Sequence, residues 1–181
     1  ALVTHDAPFV VVNLVATNLT TVPASIRSRW PSLRFFIMEH GQLREFPRVV
    51  AAMKLLERIS VCDNEIQELP ALASTRYSVL NFARNPVQAL PPSLPDTSQL
   101  TFLSFEHTLV ADTPWWLASA LKKTTGSTVS AFGLNSSYCQ KQQAGATAAA
   151  SSKRVVCGTP SPRVNGLYPL DIVTSYMSAL S

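Results

Sequence analysis

The chain has 181 residues, 46% of them hydrophobic and 14% charged, which is enough apolar material to bury a core in one domain, or one domain with a tail, and too much for wholesale disorder. No apolar stretch approaches the roughly 18 residues that a membrane-spanning helix needs, Ala1–Asp6 lacks the basic start and long apolar centre of a signal sequence, and the three cysteines are too few for a disulfide-stapled miniprotein and too widely spaced for a zinc module. The formal charge of +4 raises nucleic-acid binding as a function, and that reading depends on where the charge lies.

In chain order, one pattern recurs five times. The units read FVVVNLVATNLTTVP from Phe9, LRFFIMEHGQLREFP from Leu33, LERISVCDNEIQELP from Leu56, YSVLNFARNPVQALP from Tyr77 and LTFLSFEHTLVADTP from Leu100. Their starts lie 24, 23, 21 and 23 residues apart. Each has apolar residues at positions 1, 4, 6 and 11 and ends on a proline: Pro23, Pro47, Pro70, Pro91 and Pro114. Positions 4 and 6 share one face of an extended segment, so Val12 and Leu14, Phe36 and Met38, Ile59 and Val61, Leu80 and Phe82, and Leu103 and Phe105 are predicted to point inward. One short strand cannot bury that face alone; stacked units bury it against each other in a parallel ladder with a return path opposite. Proline is predicted to open each return, with a helical turn over Pro23–Trp30 and an extended or 3-10 path over Pro91–Thr97.

The pattern resembles the leucine-rich repeat family, whose unit carries an asparagine between its strand and its return. Units three and four have it as Asn64 and Asn85, while Thr17, Gly41 and Thr108 stand there in the others. Threonine replaces part of the asparagine's hydrogen bonding and glycine offers only backbone freedom, so the outer coils are expected to be irregular. The resemblance covers residues 9 to 117. It implies an α/β solenoid, a right-handed ladder of parallel strands with short helical or 3-10 convex segments, about five repeats over residues 1–117 and a non-repeating C-terminal cap over 118–181.

Where the repeats end, Trp115, Trp116, Leu117 and Leu121 are predicted to plug the last coil on a short helix opened by Pro114. The Ala-, Ser- and Gln-rich stretch Lys141–Arg154 reads as a surface loop, and Leu170, Val173, Met177 and Leu180 keep helical spacing near the end. Cys139 and Cys157 flank the loop; a bond closing it contributes about 3 kcal/mol by chain entropy. Phe132–Cys139 is also similar to the segment that closes receptor-like leucine-rich ectodomains, which implies the Cys139–Cys157 bond, a free Cys62 and an extracellular or cell-surface setting; three separate thiols in a cytoplasmic protein are the alternative. The sequons at Asn18 and Asn135 point toward a glycoprotein.

Side chains at positions 3, 5, 7 and 8 are predicted to face outward on the inner curve, where such arrays present a binding surface. They form a mixed surface of aromatic, polar and oppositely charged groups, suited to a protein or peptide ligand more than to a phosphate backbone. Phe35, Glu39, His40, Arg58, Asp63, Asn81, Arg84, Phe102, Glu106 and His107 are the candidate partner-binding residues; the plainer reading is a solvated face with Asp63 and Arg84 paired across strands. His40 and His107 lie three coils apart, about 14 Å, too far to share a metal. Cys62 near His40 and Asp63 suggests a nucleophile with a base, but nothing supplies an oxyanion site, so neither catalysis nor a cofactor or metal is expected. Residues 1–117 hold nine basic and ten acidic residues, net −1, and residues 118–181 hold six and one, net +5. The positive charge therefore belongs to the cap, and nucleic acid is not the expected partner. The sequence predicts non-catalytic recognition, as the ectodomain part of a larger secreted or membrane-anchored protein; an intracellular scaffold and the substrate-selecting region of a larger enzyme are the alternatives.

Overall fold

The computed structural model describes residues 10–122, 129–144 and 155–171. Seven strands form one parallel sheet in strict sequence order: β1 Val11–Val15, β2 Phe35–Glu39, β3 Arg58–Ser60, β4 Val79–Asn81, β5 Phe102–Ser104, β6 Ser130–Phe132 and β7 Val155–Val156. The register follows the apolar repeat. Val12 faces Phe36, which faces Ile59, then Leu80, Leu103, Ala131 and Val155 in turn. Position 6 supplies the second inward column, and Phe36, Met38, Ile59, Val61, Leu80, Phe82, Leu103 and Phe105 are all fully buried in one continuous core. Burying a side chain of this size contributes about 1.5–3 kcal/mol, and the alternation of strand residues makes a one-residue slip reverse every inward position.

Behind the strands the returns are short. Two form single helical turns, α1 Ile26–Arg29 and α2 Arg48–Ala51. Proline stands ahead of these turns and not at their first position: Pro23 accepts the Ile26 amide at 3.2 Å, and Pro47 is the N-cap of α2. A longer helix, α3 Trp115–Lys122, covers the fifth coil. Trp116 and Leu117 are buried, and the Trp116 indole donates to the Pro91 carbonyl at 2.8 Å. Trp115 does not join the plug and is 69% exposed, because adjacent helical residues point in different directions and only one of the two indoles can face the coil.

Each of the first six strands is followed by a residue in the left-handed region: Ala16, His40, Asp63, Arg84, His107 and Asn135 have φ between 54° and 59°. None is glycine or β-branched, the type for which this conformation is most strained. The residue that follows occupies the asparagine position. The Asn64 side-chain amide donates to the carbonyls of Met38, Val61 and Cys62 at 2.9, 3.1 and 3.2 Å, and its oxygen accepts the Leu43 amide at 3.1 Å. Asn85 repeats this one coil on, donating to Val61, Phe82 and Ala83 and accepting from Ile66. Thr108 makes the shorter version, donating to Phe105 at 2.7 Å and accepting the Val110 amide at 3.4 Å, whereas the Thr17 hydroxyl is buried without a partner. Gly41 supplies space, not only backbone freedom: a Cβ there would lie 2.8 Å from the Asn64 oxygen.

The sheet does not stop where the repeat pattern stops. Strands β6 and β7 extend it beyond residue 117 in the same register, with Ser136 fully buried one step beyond Asn135. At this coil the inward positions are Ala131 and Gly133, and a Cβ on Gly133 would meet the Phe105 ring at 2.8 Å. Phe105 and Tyr138 fill that volume edge to face, with centroids 6.2 Å apart. An unanticipated helix, α4 Ser137–Ala144, follows, and its buried Cys139 stands at disulfide distance from Cys157, Cα atoms 5.5 Å apart. Most of the expected loop before Cys157 and most of the expected terminal helix, including Val173, Met177 and Leu180, lie outside the described residues.

Replacing Asn64 or Asn85 by alanine strands several buried backbone groups at once, and each change is expected to cost at least about 2 kcal/mol. Gly41→Ala should destabilise through the same ladder. Urea unfolding of the three variants measures both effects.

Candidate functional site

The inner curve is a floor between two rims. Position 3 forms one rim, in which the Arg58 guanidinium lies 4.9 Å from the Phe35 ring centroid; Phe102 of this rim packs against Phe132, which is in register with Ser104 at position 5, centroids 5.5 Å apart. Position 8, the left-handed column, forms the other. Positions 5 and 7 form the floor: Ile37, Ser60, Asn81 and Ser104, with Glu39, Cys62, Ala83 and Glu106 beside them. Side-chain alternation sends these residues away from the core, and Ile37, Cys62 and Ala83 are absent from the core cluster. The floor was expected to face solvent. It does not, and all eight of these residues are buried.

The cover is the chain's own segment Ser161–Tyr168, which runs across the sheet from the fifth coil to the second. It crosses as consecutive turns, with Val164 N donating to Ser161 O at 3.2 Å and Gly166 N to Arg163 O at 3.0 Å. Two fully buried carboxylates hold its ends. Glu106 accepts the Ser161 amide at 2.8 Å, the Ser161 hydroxyl and the Ser104 hydroxyl at 2.8 Å. Glu39 accepts the Leu167 amide at 2.8 and 2.9 Å, the Tyr168 amide at 3.0 Å and the Ser60 hydroxyl. Among the described residues neither carboxylate makes an ion pair; neutral hydrogen-bond donors offset the cost of burying the charge. Gly166 has φ +85°, and a Cβ on it would lie 2.6 Å from a Glu39 carboxylate oxygen, so backbone and carboxylate approach more closely than any side chain permits.

Between the two clamps, Asn81 donates to Arg163 O at 3.0 Å, Arg84 Nε to Val164 O at 3.1 Å and the Cys62 thiol to Val164 O at 3.6 Å. Arg163 lays its guanidinium 4.9 Å from the Phe102 centroid, and its Nη1 is buried without a partner. Burial, and then the nearby charge of Arg58, lower its pKa. His40 faces an acceptor at each ring nitrogen, the Asp63 carboxylate at 2.7 Å from Nδ1 and the Tyr168 carbonyl at 3.0 Å from Nε2. Asp63 thus pairs with His40, and Arg84 turns to Val164 in place of the Asp63–Arg84 pair considered from sequence. At the other end of this rim Asn135 Nδ2 is 3.5 Å from His107 Nδ1.

The candidate residues therefore divide into two groups. Glu39, Asn81, Phe102 and Glu106 are buried beneath the segment; Phe35, His40, Asp63 and His107 are half-buried at the rims, and Arg58 and Arg84 are exposed. The sequence reading did not include Ser161, Arg163, Val164, Gly166, Leu167 and Tyr168. One signal for them exists: Glu39 and Glu106 stand in a floor column without basic residues, so burying them requires donors from elsewhere in the chain. Cys62 has little nucleophilic character, because burial, followed by Glu39 and Asp63, pushes its thiol pKa well up, with Arg84 opposing. Among the described residues no group of three His, Cys, Asp or Glu side chains is placed to hold a metal ion, and no helix is long and apolar enough to cross a membrane. Asn18 and Asn135 are both exposed. No protein-family model and no curated protein matches the sequence.

Two outcomes follow from these surroundings. Native Cys62 should react with a thiol reagent at least about 100-fold more slowly than in the urea-unfolded chain, as a buried, undissociated thiol requires. Burial, then the Arg84 charge, lower the His107 pKa from its ordinary 6.5, against Glu106. Unfolding then takes up a proton, so this contribution to stability is complete above the unfolded value and is lost as pH falls below it toward the folded one. His107→Gln should shrink the difference in Tm between pH 7.5 and pH 5, as measured by thermal melts.

Proposed function

We propose that the chain is a non-catalytic recognition module of the leucine-rich repeat type, which reads a protein or peptide partner through its inner curve. The observation that carries this reading is the way the curve treats a polypeptide laid across it. Glu39, Glu106, Asn81 and Arg84 engage main-chain N–H and C=O groups of the crossing segment, and the Phe102 ring takes the guanidinium of the segment's Arg163. Main-chain hydrogen bonds of this kind supply affinity for a peptide, while side-chain contacts supply specificity. With the segment in place, the partner meets a composite surface of rim and segment, with Phe35, Arg58, Asp63, Arg84 and His107 on either side.

An extracellular or cell-surface location suits the disulfide-distance pair Cys139 and Cys157 and the exposed asparagines of the two sequons. The thiol state and glycan content of protein from its native source test that location. For recognition itself, binders selected from a displayed peptide library against the full chain should lose at least tenfold in affinity to the triple variant Phe35→Ala, Arg58→Ala, Arg84→Ala. They should be unaffected by Arg44→Ala on the other side of the molecule. Binders indifferent to the rim changes would move the recognition surface away from the inner curve.

A further inference from the structure

We propose that the floor of the inner curve is a binding site for turn-forming basic peptides and that Ser161–Tyr168 is a resident occupant which such a peptide displaces. This deepens the recognition reading and rests on it. The segment fixes the ligand's chemistry. A serine presents N–H and O–H to Glu106, an arginine two residues on lies over Phe102, and three residues later a glycine passes Glu39 so that the next two amides reach its carboxylate. A ligand must also turn: the two clamps lie three strands apart, about 14 Å, whereas a fully extended run of six or seven residues would overshoot to roughly 20–25 Å. Two carboxylates that rely on donors disfavour an acidic ligand.

Three observations make the resident displaceable. Beyond Cys157, whose thiol is at disulfide distance from Cys139, none of residues 158–171 belongs to the hydrophobic core. Ser161 and Gly166 are the buried residues of the segment, while Tyr168 remains 40% exposed. The fit is also imperfect, since the Arg163 Nη1 is buried without a partner. Contacts that are polar, local to one surface and separate from the core belong to the parts of a protein that open first.

The test uses the full chain and a fluorescein-labelled, end-blocked peptide with the sequence of residues 159–170. Gly166→Val places a side chain against Glu39 and should lift the segment. Cys62, which the segment covers, is then expected to react with a thiol reagent at least tenfold faster than in the wild type. The labelled peptide should bind this variant at least tenfold tighter than the wild type and slow Cys62 again. A Cys62 rate unchanged by the substitution, or a lifted segment with no tighter peptide binding, overturns the proposal. Should Gly166→Val fail to fold, hydrogen exchange on the wild type decides: Leu167 and Tyr168 amides exchanging at least 100-fold faster than those of β3 and β4 support displacement, and equal rates overturn it. Failure here with intact rim effects on selected binders leaves recognition on top of the segment; loss of both removes the recognition reading itself.

Discussion

Each coil must leave its strand, turn away from the inner curve and return in register, and a left-handed residue at one repeated place makes that turn. Ala16, His40, Asp63, Arg84, His107 and Asn135 share this conformation, and the amides of the first five each bond a carbonyl of the next coil. The following residue is thereby swung inward, where Asn64 and Asn85 bind several backbone groups that would otherwise be buried unpaired. Stacking of the two apolar columns and hydrogen bonding of the turns are thus one constraint. Each coil is held in register twice, once by packing and once by the ladder.

The same turn builds the inner curve. Because the left-handed residue ends the strand at a fixed distance from position 7, Glu39 and Glu106 fall in one column, three coils apart, with His40 and His107 immediately beyond them. Two buried carboxylates in one column of a sheet are costly without donors, and the segment from Ser161 to Tyr168 meets that need with four main-chain and hydroxyl donors placed at its two ends. The inner curve is therefore neither bare nor part of the core. It is a second, polar interface within one chain, and its composition differs from the core because it was assembled by hydrogen bonding.

Much of the frame was legible because it depends on local periodicity. Inward residues such as Ile59 and Leu80 and the parallel register follow from spacings that the chain displays openly, while the meeting of Cys139 with Cys157 was implied by a resemblance. Of the features that escaped, α4 and β7 among them, three have a plain physical reason. Strand β6 was hidden because its inward residues are Ala131 and Gly133, chosen for the bulk of the neighbouring Phe105 and carrying no hydrophobic signal of their own. Trp115 was placed in the plug since composition alone cannot tell which of two adjacent indoles faces inward. The crossing segment was missed because it meets the carboxylates through main-chain amides, 55 residues from Glu106 and 128 from Glu39, and backbone donors leave no mark on side-chain pattern.

By itself, then, the sequence determined the direction in which each strand residue points, since side-chain alternation is a property of the extended chain. It also determined that coils must stack, since no single one can bury its apolar face. Only the tertiary structure decided which outward residues meet water. Exposure depends on what lies above a surface, and here the cover comes from the distant segment Ser161–Tyr168, whose place is set by two carboxylates and not by any apolar repeat. Glu39 and Arg58 both point to the inner curve, one fully buried and the other exposed, because Gly166 crosses above the first and, among the described residues, nothing comparable crosses above the second.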